Sequence, residues 1–163
     1  MLFLLFRFLH IASAMWFIGG ILARQIVRAY AKRTEDIRRF AVMSDAAGRI
    51  ENTMVIPGNM AVIIFGVILG LIIKAPILGF LQGADRNWLL VSNMIFLLGF
   101  LSVPLIFLPR GKKFDVILKD ALAKGQMTPE LRAQLDDPLV RAAHLYEMVS
   151  MPLIVFLMVF KPF

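Results

Sequence analysis

The sequence contains no cysteine and only two histidines among its 163 residues. The lack of cysteine excludes disulfide bridges, thiolate zinc sites and iron–sulfur clusters built from this chain alone. Charged residues are also scarce, at 18% of the chain, whereas 60% is hydrophobic. This balance lies outside the range of soluble domains and favours an integral membrane protein. No glycine-rich phosphate loop, hydrolase elbow or His-Glu-x-x-His pattern is present, which argues against nucleotide binding and soluble-type hydrolysis.

Four apolar segments are each about 20 residues long, enough to cross ~30 Å of hydrocarbon as a helix. They run at about 2–22, 54–73, 88–108 and 139–160. None alternates with a period of two, so helices are predicted and not barrel strands. The first segment stays apolar beyond the small-residue triplet Ala12–Ala14, which favours a retained helix over a cleaved signal peptide. The sequence therefore predicts an all-α four-helix transmembrane bundle as a single domain over residues 1–163.

The net charge of +7 is concentrated in two of the three connections. Basic residues lie in blocks between the apolar segments and do not form one basic face, so the predicted partner is a lipid bilayer and not nucleic acid. The second connection has only two basic residues, Lys74 and Arg86. The first connection carries Arg24, Arg28, Lys32, Arg33, Arg38, Arg39 and Arg49, and the third carries Arg110, Lys112, Lys113, Lys119, Lys124 and Arg132. The positive-inside rule places the basic connections in the cytoplasm and both chain ends outside.

The basic connections contain helix-start and helix-stop signals. Thr34–Asp36 can begin a helix, Gly125 can end one, and Thr128–Pro129 and Asp137–Pro138 can begin two more. We expect helical extensions that lie on or near the membrane surface. Pro57–Gly58 is expected to kink or break the start of the second span.

Arg7 and His10 are ionisable residues inside the first apolar segment, where charge is costly. They are three residues apart and share a helix face, which continues through Ala14, Phe17 and Ile21 toward the bundle interior. Two ordinary explanations stand beside a functional one. A buried histidine can simply donate a hydrogen bond to a neighbouring helix, and an arginine can extend to the outer surface.

Depth estimates separate the two histidines. With a rise of ~1.5 Å per residue, His10 lies ~12 Å from the outer end and His144 ~24 Å. Gly66, Met151 and Met94 lie near the level of His10. One haem is therefore not expected to be held by both histidines of one chain. If His10 binds haem iron, the sixth ligand is Met151, Met94, a group from a second subunit, or none.

His144 and Glu147 share a face at the start of the fourth segment. They can form a proton-handling pair or receive a quinone head group from the cytoplasmic leaflet. They can equally be a structural pair that ties the fourth helix to Arg24 or Asn59, since unpaired acids in spans are disfavoured.

Two short motifs resemble known membrane families. The segment RFLHIASAMWFIGG, Arg7–Gly20, resembles the first helix of a group of four-helix bacterial proteins that includes the copper-resistance D family and the HemJ-type protoporphyrinogen oxidases. The ending MVFKPF, Met158–Phe163, most resembles a predicted integral membrane family of unknown function in that group. The resemblance implies a haem-binding role for His10. It does not extend to protoporphyrinogen oxidation, because the third segment lacks the lysine that the HemJ-type enzymes place there.

The resulting hypothesis is a haem b-binding protein of the inner membrane with a role in electron transfer. His10 would be an axial ligand of the haem iron, Met151 a sixth ligand, and Arg7 the partner of a propionate. A membrane oxidoreductase or a second copy of the chain would be the redox partner. The alternative is a cofactor-free structural or accessory subunit of a larger membrane complex. A small transporter is disfavoured by the short chain without an inverted repeat.

Overall fold

In a computed structural model, all residues 1–163 are described, and they form seven α-helices and no strand. The helices are α1 (Leu2–Ala31), α2 (Ile37–Ile50), α3 (Ile56–Ile72), α4 (Trp88–Ser102), α5 (Leu108–Lys124), α6 (Pro129–Leu135) and α7 (Pro138–Phe160). Two π-helical segments, Glu51–Val55 and Val103–Phe107, join α2 to α3 and α4 to α5. The predicted all-α class is confirmed.

Four helical stretches are long and apolar enough to cross a membrane. They are Leu2–Ala31, Ile37–Ile72, Trp88–Lys124 and Pro129–Phe160. Only 21 of the 163 residues are buried, and large apolar side chains cover the outside of the bundle. In a bilayer such side chains face lipid, so close packing and polar contacts hold the helices together. The molecule is a four-helix integral membrane bundle.

The helices pack as two antiparallel hairpins. Hairpin 1 consists of α1 with α2 and α3, and hairpin 2 consists of α4 and α5 with α7. Glycine allows close approach within hairpin 1, because a Cβ atom added to Gly20 would lie 2.7 Å from the Cβ of Met54. Within hairpin 2, the hydroxyl of Tyr146 donates a hydrogen bond to the carbonyl oxygen of Ile95 at 2.6 Å.

The two hairpins meet near the middle of the bundle. Phe17, Ile21 and Val55 of hairpin 1 form a small buried cluster, and Phe96 and Met151 of hairpin 2 pack against it. Contact between α1 and α7 is otherwise sparse. The few polar contacts between these two helices therefore carry much of the connection between the hairpins.

The basic connections are helical, as expected, and most of their length belongs to long continuous helices. The helices Ile37–Ile72 and Trp88–Lys124 run through without a break, so α2 and α5 continue the directions of the spans that they adjoin. At ~1.5 Å per residue the first of these is ~54 Å long, well beyond ~30 Å of hydrocarbon. Their ends pack with α6 around a dry cluster formed by Ala31, Ile37, Phe40, Ala121 and Leu131. Burial of these apolar side chains stabilises this end of the bundle, here called the basic cap.

Pro57 does not break the second span, so of the two expected outcomes, a kink or a break, the break is excluded. The chain passes through it as helix, immediately after the π-helical segment Glu51–Val55. Proline has no N–H group, so the carbonyl oxygen of Thr53, four residues earlier, loses its usual helical donor. The indole Nε1 of Trp16 donates to that oxygen at 3.3 Å. A side chain of α1 thus replaces the missing backbone hydrogen bond.

The predicted helix boundaries in the cap are close to those observed. Asp36 caps α2 by accepting hydrogen bonds from the backbone N–H groups of Arg38 and Arg39, at 2.8 and 3.2 Å. The N–H groups of Arg39 and Arg38 stabilise the carboxylate and hold the pKa of Asp36 below its usual value. Thr128 caps α6 through Leu131, and Gly125 ends α5 with a positive φ of 69°.

The opposite end of the bundle is closed by the last residues of the chain. The carbonyl oxygen of Phe163 accepts hydrogen bonds from the backbone N–H groups of Asn87 and Trp88, at 2.9 and 3.0 Å. The ammonium group of Lys161 lies 5.2 Å from the centre of the Trp88 ring. Residues 161–163 therefore satisfy the free N–H groups at the start of α4.

Candidate functional site

An ionic cluster lies between the hairpins, next to the basic cap. It consists of Arg24 and Arg28 on α1, Glu51 at the start of the first π-helical segment, and His144 and Glu147 on α7. Arg24 and Arg28 are one turn apart and continue the interior face that runs from the first histidine. The other three residues come from the two helices that flank this face.

Arg24 is the centre of the cluster and is only 2% exposed. Its Nη2 atom donates to Oε2 of Glu147 at 2.5 Å, and its Nη1 atom donates to a carboxylate oxygen of Glu51. Two carboxylates from different hairpins therefore share one guanidinium. Ion pairs that are removed from water in this way are strongly coupled, and loss of one partner leaves an uncompensated charge.

His144 connects the second arginine to the same carboxylate. Its Nε2 atom lies 2.5 Å from Nη1 of Arg28, and its Nδ1 atom lies 3.0 Å from Oε2 of Glu147. A guanidinium has no acceptor, so Nε2 must accept the hydrogen bond and Nδ1 must carry the proton. The geometry therefore assigns a neutral imidazole with the Nδ1–H tautomer.

The hydrogen bonds form an unbroken chain across the bundle. It runs from Arg28 through His144 to Glu147, and then through Arg24 to Glu51. Two guanidinium and two carboxylate groups balance each other when the imidazole is neutral. Such a chain can hold a proton at His144 or Glu147, and it can join helices.

Both π-helical segments border this cluster. The first one begins at Glu51, and the second one ends at Phe107, whose ring stacks on His144 with centroids 4.7 Å apart. Single π-helical turns are often found at functional sites, because the extra residue redirects side chains. Here the first segment brings the Glu51 carboxylate to Arg24, and the second brings an aromatic ring to the imidazole of His144.

Some buried polar atoms near this level have no protein partner. They are Nε of Arg24, Nε2 of Gln25 and Oδ1 of Asn59. Asn59 was one of two residues considered as the tie for the fourth helix, and the structure uses the other, Arg24, through Glu147. Unpartnered polar atoms within a membrane bundle are costly, which is typical of sites that bind water or a ligand.

His10 lies in the other half of the bundle, between α1 and α3. Its Nδ1 atom is 3.1 Å from the carbonyl oxygen of Val62, so Nδ1 donates and Nε2 has no partner. The ring packs directly on Gly66, where an added Cβ atom would lie 2.9 Å from Cε1 of the imidazole. The room above this glycine is therefore filled by the histidine itself.

The remaining predicted residues are more dispersed. Arg7 is exposed and makes no ion pair. Met151 packs against the buried cluster that contains Phe17 and Ile21. Phe17 is seven residues beyond His10 on α1, a distance of ~10 Å along the helix. Met94 is 51% exposed on α4. His144 contacts Arg28, which is 18 residues beyond His10 on α1, or ~27 Å along the helix. The two histidines therefore belong to separate sites.

Arg28, Glu51 and Phe107 were missed as site residues in the sequence. A signal was present for Arg28, because the spacing of His10, Phe17, Arg24 and Arg28 follows one helix face. No such signal existed for Glu51 or Phe107, since π-helical segments shift the face on which later residues lie.

Four apolar helices, a basic cap and a charged cluster buried between two hairpins define a polytopic membrane protein. The model of a family described as "Predicted integral membrane protein (DUF2269)" matches residues 4–162, and the chain belongs to that family. The suspected membership is thereby confirmed. No curated protein and no solved structure matches the chain.

Proposed function

We propose that this protein binds haem b through His10 and transfers electrons within the bacterial inner membrane. One observation carries the proposal: Nδ1 of His10 is fixed by the Val62 carbonyl oxygen, whereas Nε2 has no partner. Histidines that bind metal usually donate their other ring N–H in this way, which fixes both tautomer and orientation. Nε2 is not among the buried unpartnered polar atoms, so this nitrogen is accessible to a ligand.

The surrounding residues fit a single axial ligand. Gly66 supports the imidazole ring on one side and limits its rotation. Arg7 is exposed one turn farther out and free of carboxylates, so its guanidinium can pair with a propionate. Haem supplies one-electron chemistry when it is bound.

The sixth ligand is better sought outside this chain. Met151 is held against Phe17 and Ile21, about two turns from His10, and Met94 faces away from the bundle. Met151 as a ligand remains a prediction that would require α7 to shift. A second copy of the chain or a membrane oxidoreductase can supply the ligand, or the position can stay open.

The proposed orientation places the basic cap in the cytoplasm and both chain ends outside. His10 then lies toward the outer leaflet and the ionic cluster near the cytoplasmic boundary. The absence of native cysteine allows a direct test with Arg86→Cys and Lys119→Cys, both at exposed positions. A membrane-impermeant thiol reagent added from outside should label the first and not the second. The reverse pattern would overturn the orientation.

The haem proposal is tested by titrating haemin into the purified protein in detergent and following the Soret band. The native protein should bind haemin saturably, and His10→Ala should abolish this binding. His144→Gln is the matched control, because it removes the other histidine and should leave binding unchanged. Equal uptake by the native protein and His10→Ala would contradict the proposal.

A folded native protein that takes up no haemin would favour the alternative, a cofactor-free accessory subunit. The exposed apolar surfaces and the basic cap would then serve to dock a larger membrane complex. Gentle extraction followed by co-purification would identify the partner. The similarity of the first helix to HemJ-type proteins supports the haem proposal over this alternative.

A further inference from the structure

Arg28 and His144 form a contact between two helices that otherwise touch little. Arg28 lies near the end of α1 in hairpin 1, and His144 lies in the second turn of α7 in hairpin 2. Nη1 of Arg28 is 2.5 Å from Nε2 of His144. The contact exists only while Nε2 carries no proton, because a guanidinium can donate but cannot accept.

We infer that His144 is a proton-binding site whose protonation releases Arg28 and loosens the junction between the two hairpins. A proton on Nε2 replaces the acceptor by a donor and places two cations in contact. The proton comes from water at the cap side, and no other bond forms or breaks. The Nδ1–H of the imidazolium keeps its hydrogen bond to Glu147, so Arg28 is the group that must leave.

The charged groups around His144 support this direction of change. From α1 it faces Arg24 and Arg28, and from its own helix Glu147, whereas Glu51 of the first π-helical segment contacts Arg24 and not the imidazole. The second π-helical segment presents only the Phe107 ring.

The nearest charged pair on the helices of hairpin 2 is already satisfied. Arg110 on α5 pairs with Asp137 at the start of α7, at 3.0 Å. Neither group is free to accept the released guanidinium. In the neutral state of His144 the cluster has balanced charge, and protonation adds one positive charge that no nearby free carboxylate compensates.

Release of Arg28 would leave Arg24 as the remaining polar tie between α1 and α7, beside the apolar packing of Met151. Arg24 stays bound to both Glu51 and Glu147, so the hairpins do not separate completely. The expected result is a wider and more variable spacing of α1 and α7 at the cap side. The unperturbed histidine side chain changes its charge between about pH 5 and 8, so the test covers this range.

The test measures the distance between nitroxide labels on Ile26→Cys and Leu145→Cys as a function of pH. Both positions are exposed, at 58% and 65%, and lie on α1 and α7 beside the junction. A second label pair, Ile26→Cys with Val42→Cys, lies within hairpin 1 and serves as a control. Because the chain has no cysteine, only the introduced residues are labelled.

Acidification from pH 8 to pH 5 should shift the first pair to longer, broader distances and leave the control pair unchanged. His144→Gln should remove the shift, because glutamine does not titrate. His10→Gln is the matched control and should retain it. The inference is overturned if the native first pair does not respond to pH, if His144→Gln responds equally, or if both label pairs shift together. The measurement does not depend on whether haem is bound.

Discussion

Replacement of Glu147 by Gln should destabilise the protein strongly, although the two side chains have nearly the same shape. Glu147 is the only carboxylate that joins Arg24 and His144, and it lies on a different hairpin from Arg24. The substitution keeps an acceptor oxygen but removes the negative charge. Arg24, with 3% of its side chain exposed, would then share a single carboxylate, that of Glu51.

The magnitude follows from the burial of the pair. Loss of one partner from a buried ion pair costs about 3–5 kcal/mol. The lower end is expected here, ~3 kcal/mol, because Glu51 and the amide oxygen still contact Arg24. The surface pair of Arg49 and Asp45 is the appropriate control, since its side chains are 79% and 65% exposed. Asp45→Asn should cost at most ~1 kcal/mol.

The assay is unfolding in mixed micelles by titration with sodium dodecyl sulfate, followed by far-ultraviolet circular dichroism. Glu147→Gln should unfold at a clearly lower fraction of sodium dodecyl sulfate than the native protein. Asp45→Asn should unfold at nearly the same fraction as the native protein. A double-mutant cycle with Arg24→Met should give a coupling of about 1–3 kcal/mol between Arg24 and Glu147. If Glu147→Gln and Asp45→Asn unfold together, the cluster does not hold the hairpins and the reasoning is wrong.

Three further substitutions test other contacts. Gly66→Ala should destabilise the protein by about 1–3 kcal/mol, because the added Cβ would displace the His10 imidazole packed on this glycine. Gly19→Ala is the control and should leave stability unchanged, because a Cβ there meets nothing within 4 Å. Equal unfolding midpoints for the two variants would contradict the contact between Gly66 and His10. Because the pKa of Asp36 is lowered in the folded protein, the stability that its helix cap contributes is present at neutral pH and is lost as the pH falls below the usual pKa of a carboxyl group. Asp36→Asn should therefore make the melting temperature depend less on pH in the acid range. An unchanged pH dependence would refute this. Lys161→Ala should shift the fluorescence of Trp88 and cost ~0.5–1 kcal/mol, and an unaltered spectrum would argue against the cation–π contact.

The sequence was sufficient for the architecture because lipid imposes strict requirements on a chain. A helix must be about 20 residues long to cross the hydrocarbon, and its backbone must satisfy its own hydrogen bonds. The four predicted segments could therefore be located from hydropathy alone. Caps such as Thr128 and Asp137 were equally visible, since their side chains bond to N–H groups only two or three residues away.

The packing within the basic cap was not predicted, because helical periodicity does not reveal what an amphipathic face packs against. Phe40 lies in a segment that the sequence predicts to be a helix on or near the membrane surface. In the structure it packs on Ala121 and Leu131, which are more than 80 residues away in the sequence. A contact at that separation has no local signature.

The site could be predicted in part. His144 and Glu147 were identified because ionisable residues in a span are rare, and Arg24 was considered as their partner. Glu51 and Phe107 were not identified, because each lies in a π-helical segment whose irregular turn cannot be recognised from residue spacing. His10 was found readily, but only the structure reveals which of its nitrogens is engaged and which is free.

The most direct test of the proposed function is the absorption spectrum of the protein as isolated in detergent, oxidised and then reduced with dithionite. The account predicts a b-type spectrum with a reduced α band that is absent from His10→Ala and retained by His144→Gln. A native protein that is folded, helical and colourless after expression in haem-replete cells would contradict it. His10 would then be a packing residue held by Val62 and Gly66.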